Sequence, residues 1–190
     1  MPLRWEGFSI CAIISDNENN GEGDCMEDYG YIDKLAERLS AYFDIEKDWE
    51  YENLCCDLYA RSYIKNEKYF FSKKARVYGF ENYEHCLVKY FPGVGMQELN
   101  GFTDSLKCAV DKLVEPHEEH MSSIVTGVMV VAQKPDADVV DAVKRFKYHK
   151  GFSFGFKGWV DIRLVLVHPQ SGEVITNKKG KEVAKFYVFR

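Results

Sequence analysis

The stretch Ile124-Val125-Thr126-Gly127-Val128-Met129-Val130-Val131-Ala132 decides how this chain folds, because it is almost wholly apolar. A strand with one wet face alternates apolar and polar residues, whereas a strand covered on both faces is apolar throughout. The run therefore predicts a central strand that other elements cover on both sides.

Helical spacing of apolar residues predicts a helix on each side of this strand in the sequence. Thr103 is a suitable N-cap for the first helix, and Pro116 ends it. Its apolar stripe consists of Leu106, Ala109, Val110, Leu113 and Val114. The second helix opens at Pro135-Asp136 and turns Val139, Val140, Val143 and Phe146 inward.

Beyond Gly151 the apolar spacing changes to the period of a strand. One parity is shared by Phe152, Phe154, Phe156, Val160, Ile162, Leu164 and Leu166, which predicts that they lie on one sheet face. Turn residues at 168–172 and 177–180 then separate two further strands, the last of which includes Phe186–Phe189.

The N-terminal half is less regular. We predict a strand at Phe8–Ile14 and a helix at about Cys25–Phe43. Residues 49–80 are ambiguous: Leu54–Tyr59 suits a helix, a turn is expected at 65–67, and a strand at Tyr69–Tyr78. Helical spacing then predicts a short helix that contains Tyr83, Cys86, Leu87 and Tyr90.

We therefore predict a single α+β domain over residues 1–190, with a largely antiparallel sheet and the helices packed on one face. A hydrophobic fraction of 46% and an aromatic fraction of 15% are sufficient for a packed core. The sequence has no apolar run of about 18 residues, no signal peptide and no disulfide or metal spacing among its six cysteines. These features predict a soluble cytoplasmic protein that does not enter a membrane.

Charge is distributed unevenly along the chain. The net charge is -11 over residues 1–60, -1 over residues 61–140 and +7 over residues 141–190. If the ends of the chain stay apart in the fold, the molecule has an acidic part and a basic part; if they meet, the charges neutralise one another.

The acidic loop at 16–27 resembles the calcium loop of EF-hand proteins, in which oxygen ligands recur around a turn that requires glycine. The side chains at the ligand positions of this loop are Asp16, Glu18, Asn20, Asp24 and Glu27, and Gly21 stands at the turn. Asp24-Cys25-Met26-Glu27 is also a capping box for the helix that follows. We favour the cap, which needs no cofactor, and keep calcium as the alternative.

The segment at 144–159 combines cations with aromatic residues, a mixture that suits nucleic acid because cations neutralise phosphates and rings stack on bases. The cations are Lys144, Arg145, Lys147, Lys150 and Lys157. Lys150–Phe154 resembles the opening of a strand signature in RNA-recognition and cold-shock domains, although the later positions differ and no family is assigned. The alternative, which we favour, places the three phenylalanines in the core.

Two histidines at positions 117 and 120 are spaced to meet on one helical turn and bind a metal with a carboxylate. The other interpretation of His117-Glu118-Glu119-His120 is an exposed polar helix end. A metal-dependent enzyme using these histidines with the acids of the 16–27 loop is thus the second function that we consider.

The sequence contains neither a nucleophile elbow nor a phosphate-binding loop. The charge gradient instead favours a non-catalytic binding or regulatory protein that recognises a charged partner. We expect a protein partner facing the acidic N-terminal region, with nucleic acid facing the basic C-terminal region as the other possibility.

Overall fold

The computed structural model describes residues 24–51, 54–68 and 78–189. The helices are α1 (Asp24–Leu39), α2 (Met96–Leu113) and α3 (Ala137–Arg145). The strands are β1 (Asp44–Tyr51), β2 (Leu54–Lys68), β3 (Tyr78–Phe91), β4 (His120–Val131), β5 (His149–Gly151), β6 (Trp159–His168) and β7 (Glu173–Thr176). None of the described helices is long and apolar enough to cross a membrane. The predicted strand at Phe8–Ile14 lies outside the described residues.

All seven strands belong to one mixed sheet, mostly antiparallel, in the order β1-β2-β3-β4-β6-β5, with β7 also paired to β6. The pairs β3–β4 and β4–β6 are parallel, and the other four are antiparallel. The prediction of an α+β fold is therefore confirmed.

The predicted central strand is confirmed as β4, and the core lies on both of its faces. Val125 and Met129 pack into one cluster with α2 and α3, whereas Val128 and Val130 pack into a second cluster with α1. The prediction that all helices share one face is wrong. Right-handed crossovers that advance in one direction, from β3 to β4 to β6, place α2 and α3 on the same face. Because α1 precedes the sheet, it is free to cover the other face.

Burial on both faces also explains why strands were predicted as helices. Cys86, Leu87 and Val88 are consecutive in β3 and all buried, with Leu87 on the opposite face from its neighbours. Such a strand places apolar residues at helical as well as alternate spacing, so the predicted helix at 83–90 is wrong. The same applies to Leu54–Tyr59, which with the predicted turn at 65–67 belongs to β2.

The segment between β5 and β6 contradicts the predicted core position of the phenylalanines. Ser153–Gly155 forms a 3-10 turn, and the exposed fractions are 103% for Phe154 and 87% for Phe156. Gly155 and Gly158 have φ values of +91° and +76°, which end the extended backbone. The alternation of inward and outward side chains in β6 therefore does not extend back through these two glycines. Of the three phenylalanines, only Phe152 is partly buried against the core.

Other predicted boundaries moved without changing the architecture. The helix expected to begin at Thr103 begins at Met96, and Thr103 is buried within it. The predicted strand at Phe186–Phe189 is wrong, since Ala184–Tyr187 forms a 3-10 turn that packs against α1. The hydroxyl of Tyr31 in α1 donates a hydrogen bond of 2.7 Å to the carbonyl of Tyr187.

The strands β5 and β7 pair with the same edge of β6, one near its start and the other near its end. Asn177, which is 1% exposed, fills the interval between them. Its Oδ1 accepts hydrogen bonds from the backbone N–H groups of Leu164 (3.2 Å) and Gly180 (2.8 Å), while its Nδ2 donates to the carbonyl of Ile162 (3.0 Å). One side chain thus replaces the missing strand partner and fixes the turn after β7.

We predict that Asn177→Ala lowers the free energy of unfolding by at least about 2 kcal/mol, because each buried backbone group left without a partner costs about 1–3 kcal/mol. Denaturant titration measures the change. Asn100→Ala, which removes an exposed amide from α2, is the control and should stay within about 0.5 kcal/mol of wild type. Equal stabilities of the two variants would contradict this role for Asn177.

Candidate binding groove

A groove of about 990 Å³ lies where the end of α3 meets β7. All four residues of β7, Glu173–Thr176, line it, and β6 is the one strand in the described part of the chain that pairs with β7. The remaining lining residues are Lys144, Arg145, Lys147, Lys178 and Lys181. The groove therefore combines the edge of a short strand with five cationic side chains and one carboxylate.

The five cations of the groove are exposed, and none forms an ion pair with any residue that the structure describes. Lys144 and Arg145 lie in the last turn of α3, where the helix dipole favours positive charge. The helix dipole explains why Lys144 and Arg145 are favourable at the end of α3. It does not act on Lys178 and Lys181, which follow β7. Positive charge gathered in a concave site attracts anions more strongly than the same charge spread over a surface.

Three of the five cations predicted for nucleic-acid binding are therefore brought together: Lys144, Arg145 and Lys147. Lys150 is held by an ion pair with Asp111, and its ammonium lies 5.6 Å from the centre of the Phe152 ring. Lys157 is exposed at the end of the β5–β6 turn and is not among the residues that line the groove.

Lys178 and Lys181 are groove residues that the sequence alone does not predict. The sequence predicts a turn at Asn177-Lys178-Lys179-Gly180. The two adjacent lysines of this turn are the signal for a basic site that the sequence contains. What the sequence did not show is that β7 folds back along β6 and brings this turn opposite the end of α3, more than 30 residues earlier.

Asp161 in β6 binds side chains from two segments that lie next to the groove. Its Oδ1 accepts a hydrogen bond of 2.8 Å from Nδ1 of His149 in β5, and its Oδ2 lies 3.0 Å from Nζ of Lys179 beyond β7. Burial by itself raises the pKa of this carboxyl group, but the hydrogen bonds from Lys179 and His149 outweigh burial and hold the pKa below its usual value. Asp161 therefore stays ionised. It links His149 in β5 to Lys179 in the turn after β7, the two segments between which Asn177 lies.

The two histidines proposed as metal ligands lie near the start of β4. Nε2 of His117 is 3.1 Å from Oε2 of Glu81, and the ring centres of His117 and His120 are 6.0 Å apart. Tyr63 and Tyr83 also donate hydrogen bonds to the Glu81 carboxylate. Burial and this hydrogen bond raise the pKa of Tyr83 to about 12, so its hydroxyl remains a donor at neutral pH. In the part of the chain described here, no group of three or more His, Cys, Asp or Glu residues is placed to hold a metal ion.

His120 uses both of its ring nitrogens within the fold. Nδ1 donates to the carbonyl of Lys157 at 2.7 Å, so in the neutral ring Nε2 accepts from the hydroxyl of Ser123 at 2.9 Å. Catalysis by a serine needs such a base beside it. Ser123 is only 1% exposed, however, and a substrate has no access to it in this structure. The hydrogen bonds of His120 instead anchor the turn that contains Lys157.

A smaller cavity of about 230 Å³ lies on the opposite face of the sheet. The guanidinium of Arg163 lines it and forms ion pairs with Glu84 (2.7 Å) and Glu182 (3.1 Å). Because two carboxylates already neutralise this guanidinium, the cavity offers weaker attraction for an anion than the basic groove does.

The predicted calcium site cannot be placed in the same way. Asp16, Glu18 and Asn20 lie outside the described residues. Asp24 and Glu27 lie in the first turn of α1, but their side chains are outside the described part. The choice between a calcium loop and a helix cap therefore stays a prediction.

Comparison with known proteins gives a family without an assigned activity. A family model described as "Domain of unknown function (DUF8052)" matches residues 27–189. No curated protein matches the chain.

We predict that Asp161→Asn destabilises the protein in a pH-dependent manner. The folded-state pKa of Asp161 lies below its usual value of 3.8, so the carboxylate contributes stability above that pH and loses it as the pH falls through the folded pKa. Relative to wild type, the variant should lose about 1–2 kcal/mol at about pH 7, and this loss is modest because water screens the half-exposed Lys179 and His149. The loss should shrink as the pH falls through the folded-state pKa of Asp161.

Denaturant titrations at several pH values measure this difference. Asp141→Asn, which neutralises an exposed carboxylate on α3, is the control. A loss for Asp161→Asn that stays constant from neutral to acid pH would show that the ion pairs are not its cause.

Proposed function

We propose that this chain, which belongs to the family described as Domain of unknown function (DUF8052), is a binding protein that holds a linear polyanion in its basic groove. The observation that carries the proposal is the grouping of five exposed cations around the short strand β7, with no ion pair between these cations and any described residue. Separate cations on a surface gain little from one another, whereas a chain of negative charges can contact all five at once.

Four lysines elsewhere in the described structure are ion-paired, unlike the lysines of the groove. Lys47, Lys107, Lys150 and Lys179 each lie within ion-pair distance of an aspartate. The groove cations lie together in the part of the sequence with a net charge of +7, and Glu173 is the one acidic residue among those that line the groove. Their arrangement leaves the positive potential of the groove largely unneutralised and available to an external anion.

The shape of the site supports a linear partner. An extended chain can follow β7 between the end of α3 and the turn after β7, and its charges then face cations on both sides. An acidic segment of a protein and a strand of nucleic acid both meet this requirement. We propose binding as the activity of the groove because five cations dominate its lining, and cations of this kind neutralise phosphates and carboxylates.

We predict that the protein binds a fluorescein-labelled polyanion with a steep dependence on salt. Two probes represent the two partner classes: an oligothymidylate of about ten nucleotides and a polyglutamate peptide of similar length. For a single strand that contacts all five cations, the affinity should fall about 100-fold between about 50 and 200 mM salt, because each contact contributes about -0.7 to the logarithmic slope. Fluorescence anisotropy measures both affinities.

The site is tested by the double variant Lys147→Glu with Lys178→Glu, which reverses one charge on each side of the groove. It should weaken binding of any bound probe by at least about tenfold and reduce the salt slope of the oligonucleotide by at least about 1.4. The matched control is Lys34→Glu with Lys134→Glu, since both of these lysines are exposed and outside the groove. Equal losses in the two double variants, or no binding of either probe by wild type at low salt, would refute the proposed function.

A further inference from the structure

The turn between β5 and β6 displays two aromatic rings directly to solvent. The exposed fractions of Phe154 and Phe156 are 103% and 87%, the highest among the exposed large hydrophobic residues of the described chain. Burying a phenylalanine side chain is favourable, so the hydrophobic effect alone does not keep both rings in water. Their exposure therefore depends on the backbone that holds them.

This backbone is held in a fixed and unfavourable conformation. Ser153 and Phe154 have φ values of +47° and +56°, a region that a bulky residue rarely adopts. Backbone hydrogen bonds close the turn, from Phe152 N to Gly158 O (2.9 Å) and from Lys157 N to Phe152 O (3.2 Å). Nδ1 of His120 in β4 also donates a hydrogen bond to the carbonyl of Lys157. Strained residues persist only where the surrounding structure determines them, and they concentrate at binding and catalytic sites.

Gly158 shows how closely the turn is seated on the sheet. Its φ is +76°, and a Cβ at this position would lie 2.4 Å from the carbonyl oxygen of Met121 and 2.7 Å from the ring of His120. Only glycine fits both the conformation and the space. The turn therefore cannot relax toward the core without losing its contacts with β4.

The turn is close to the basic groove along the chain. Phe154 follows Lys147 by seven positions, and β5 lies between them on the same edge of β6 that β7 occupies. At about 3.3 Å per residue, the two positions are at most about 23 Å apart. Lys157, which is exposed, adds a further cation beside the rings.

We propose that the polyanion is a single-stranded nucleic acid, whose phosphates occupy the basic groove while unpaired bases stack on Phe154 and Phe156. This inference rests on the proposed function of the groove. Each nucleotide carries both a negative charge and a flat ring, which are the two groups that this edge of the molecule can bind. An acidic peptide offers only the charge.

Two other anionic surfaces fit less well. The bases of a duplex are stacked and paired inside the helix, so the rings of the turn cannot reach their faces without unpairing them. A bilayer is flat, and it cannot enter a groove whose cations lie on both sides of β7. The combination of a groove with adjacent exposed rings therefore favours a flexible strand with unpaired bases.

The experiment compares an oligothymidylate of about ten nucleotides with an abasic oligonucleotide of the same length, which keeps the phosphates but has no bases. In the double variant Phe154→Ala with Phe156→Ala, affinity for the oligothymidylate should fall at least about tenfold, since two bases lose their stacking partners. Affinity for the abasic strand should stay within about twofold of wild type. The melting temperature should be unchanged, because neither ring is buried.

The control is Tyr42→Ala, which removes an aromatic ring that is 78% exposed and follows α1, outside the groove lining. It should leave both affinities unchanged. Equal losses for the two strands in the phenylalanine variant, or no loss for either, would overturn the stacking proposal. Failure of the groove variant to weaken the abasic strand would instead overturn the proposed function itself. A polyglutamate peptide that binds more tightly than the oligothymidylate would identify an acidic protein segment as the partner.

Discussion

The fold depends on one constraint: the parallel strands β4 and β6 are buried on both faces, so each face must be covered by another element. Val125, Met129 and Ile162 require cover on one side, and Val128 and Val165 require it on the other. The crossovers that keep β3, β4 and β6 parallel supply α2 and α3 to the same face. The opposite face is then left to α1 and to the C-terminal segment with Tyr187, which explains why Tyr31 binds the backbone of that segment.

The same constraint creates the edge on which the groove is built. β6 is the last long strand, and two short strands share its outer edge instead of one continuous partner. The interval between them leaves backbone groups of β6 that Asn177 must satisfy, while Asp161 binds His149 and Lys179 from the two sides. Asn177 and Asp161 thus stabilise an edge of the sheet that is formed by two separate strands, β5 and β7. A continuous strand would bury this edge, and the groove between α3 and β7 would be lost.

The sequence was informative where one physical signal dominated. The apolar run at 124–132, the stripe of α2 and the inward face of α3 each predicted an element that the structure confirms. Prediction failed where two signals coincide. Strands covered on both faces have apolar residues at helical spacing, as Tyr83–Tyr90 shows, and alternation was extended through glycines whose positive φ values end it. Three groove cations were predicted because they are adjacent in sequence. Lys178 and Lys181 were missed because their proximity to α3 depends on the return of β7, which is a tertiary contact.

A basic groove on a chain with a net charge of -5 has a physical consequence for selectivity. At physiological ionic strength the screening length is about 8 Å, so a polyanion beyond this distance experiences little of either charge. Within it, the five unneutralised cations of the groove are attractive, whereas the acids that dominate elsewhere on the chain are repulsive. For the proposed polyanion, this difference favours contact in the groove over contact with the acidic parts of the surface. In the proposed complex, the bases of a strand held in the groove would stack on Phe154 and Phe156, whose rings are exposed in the turn between β5 and β6.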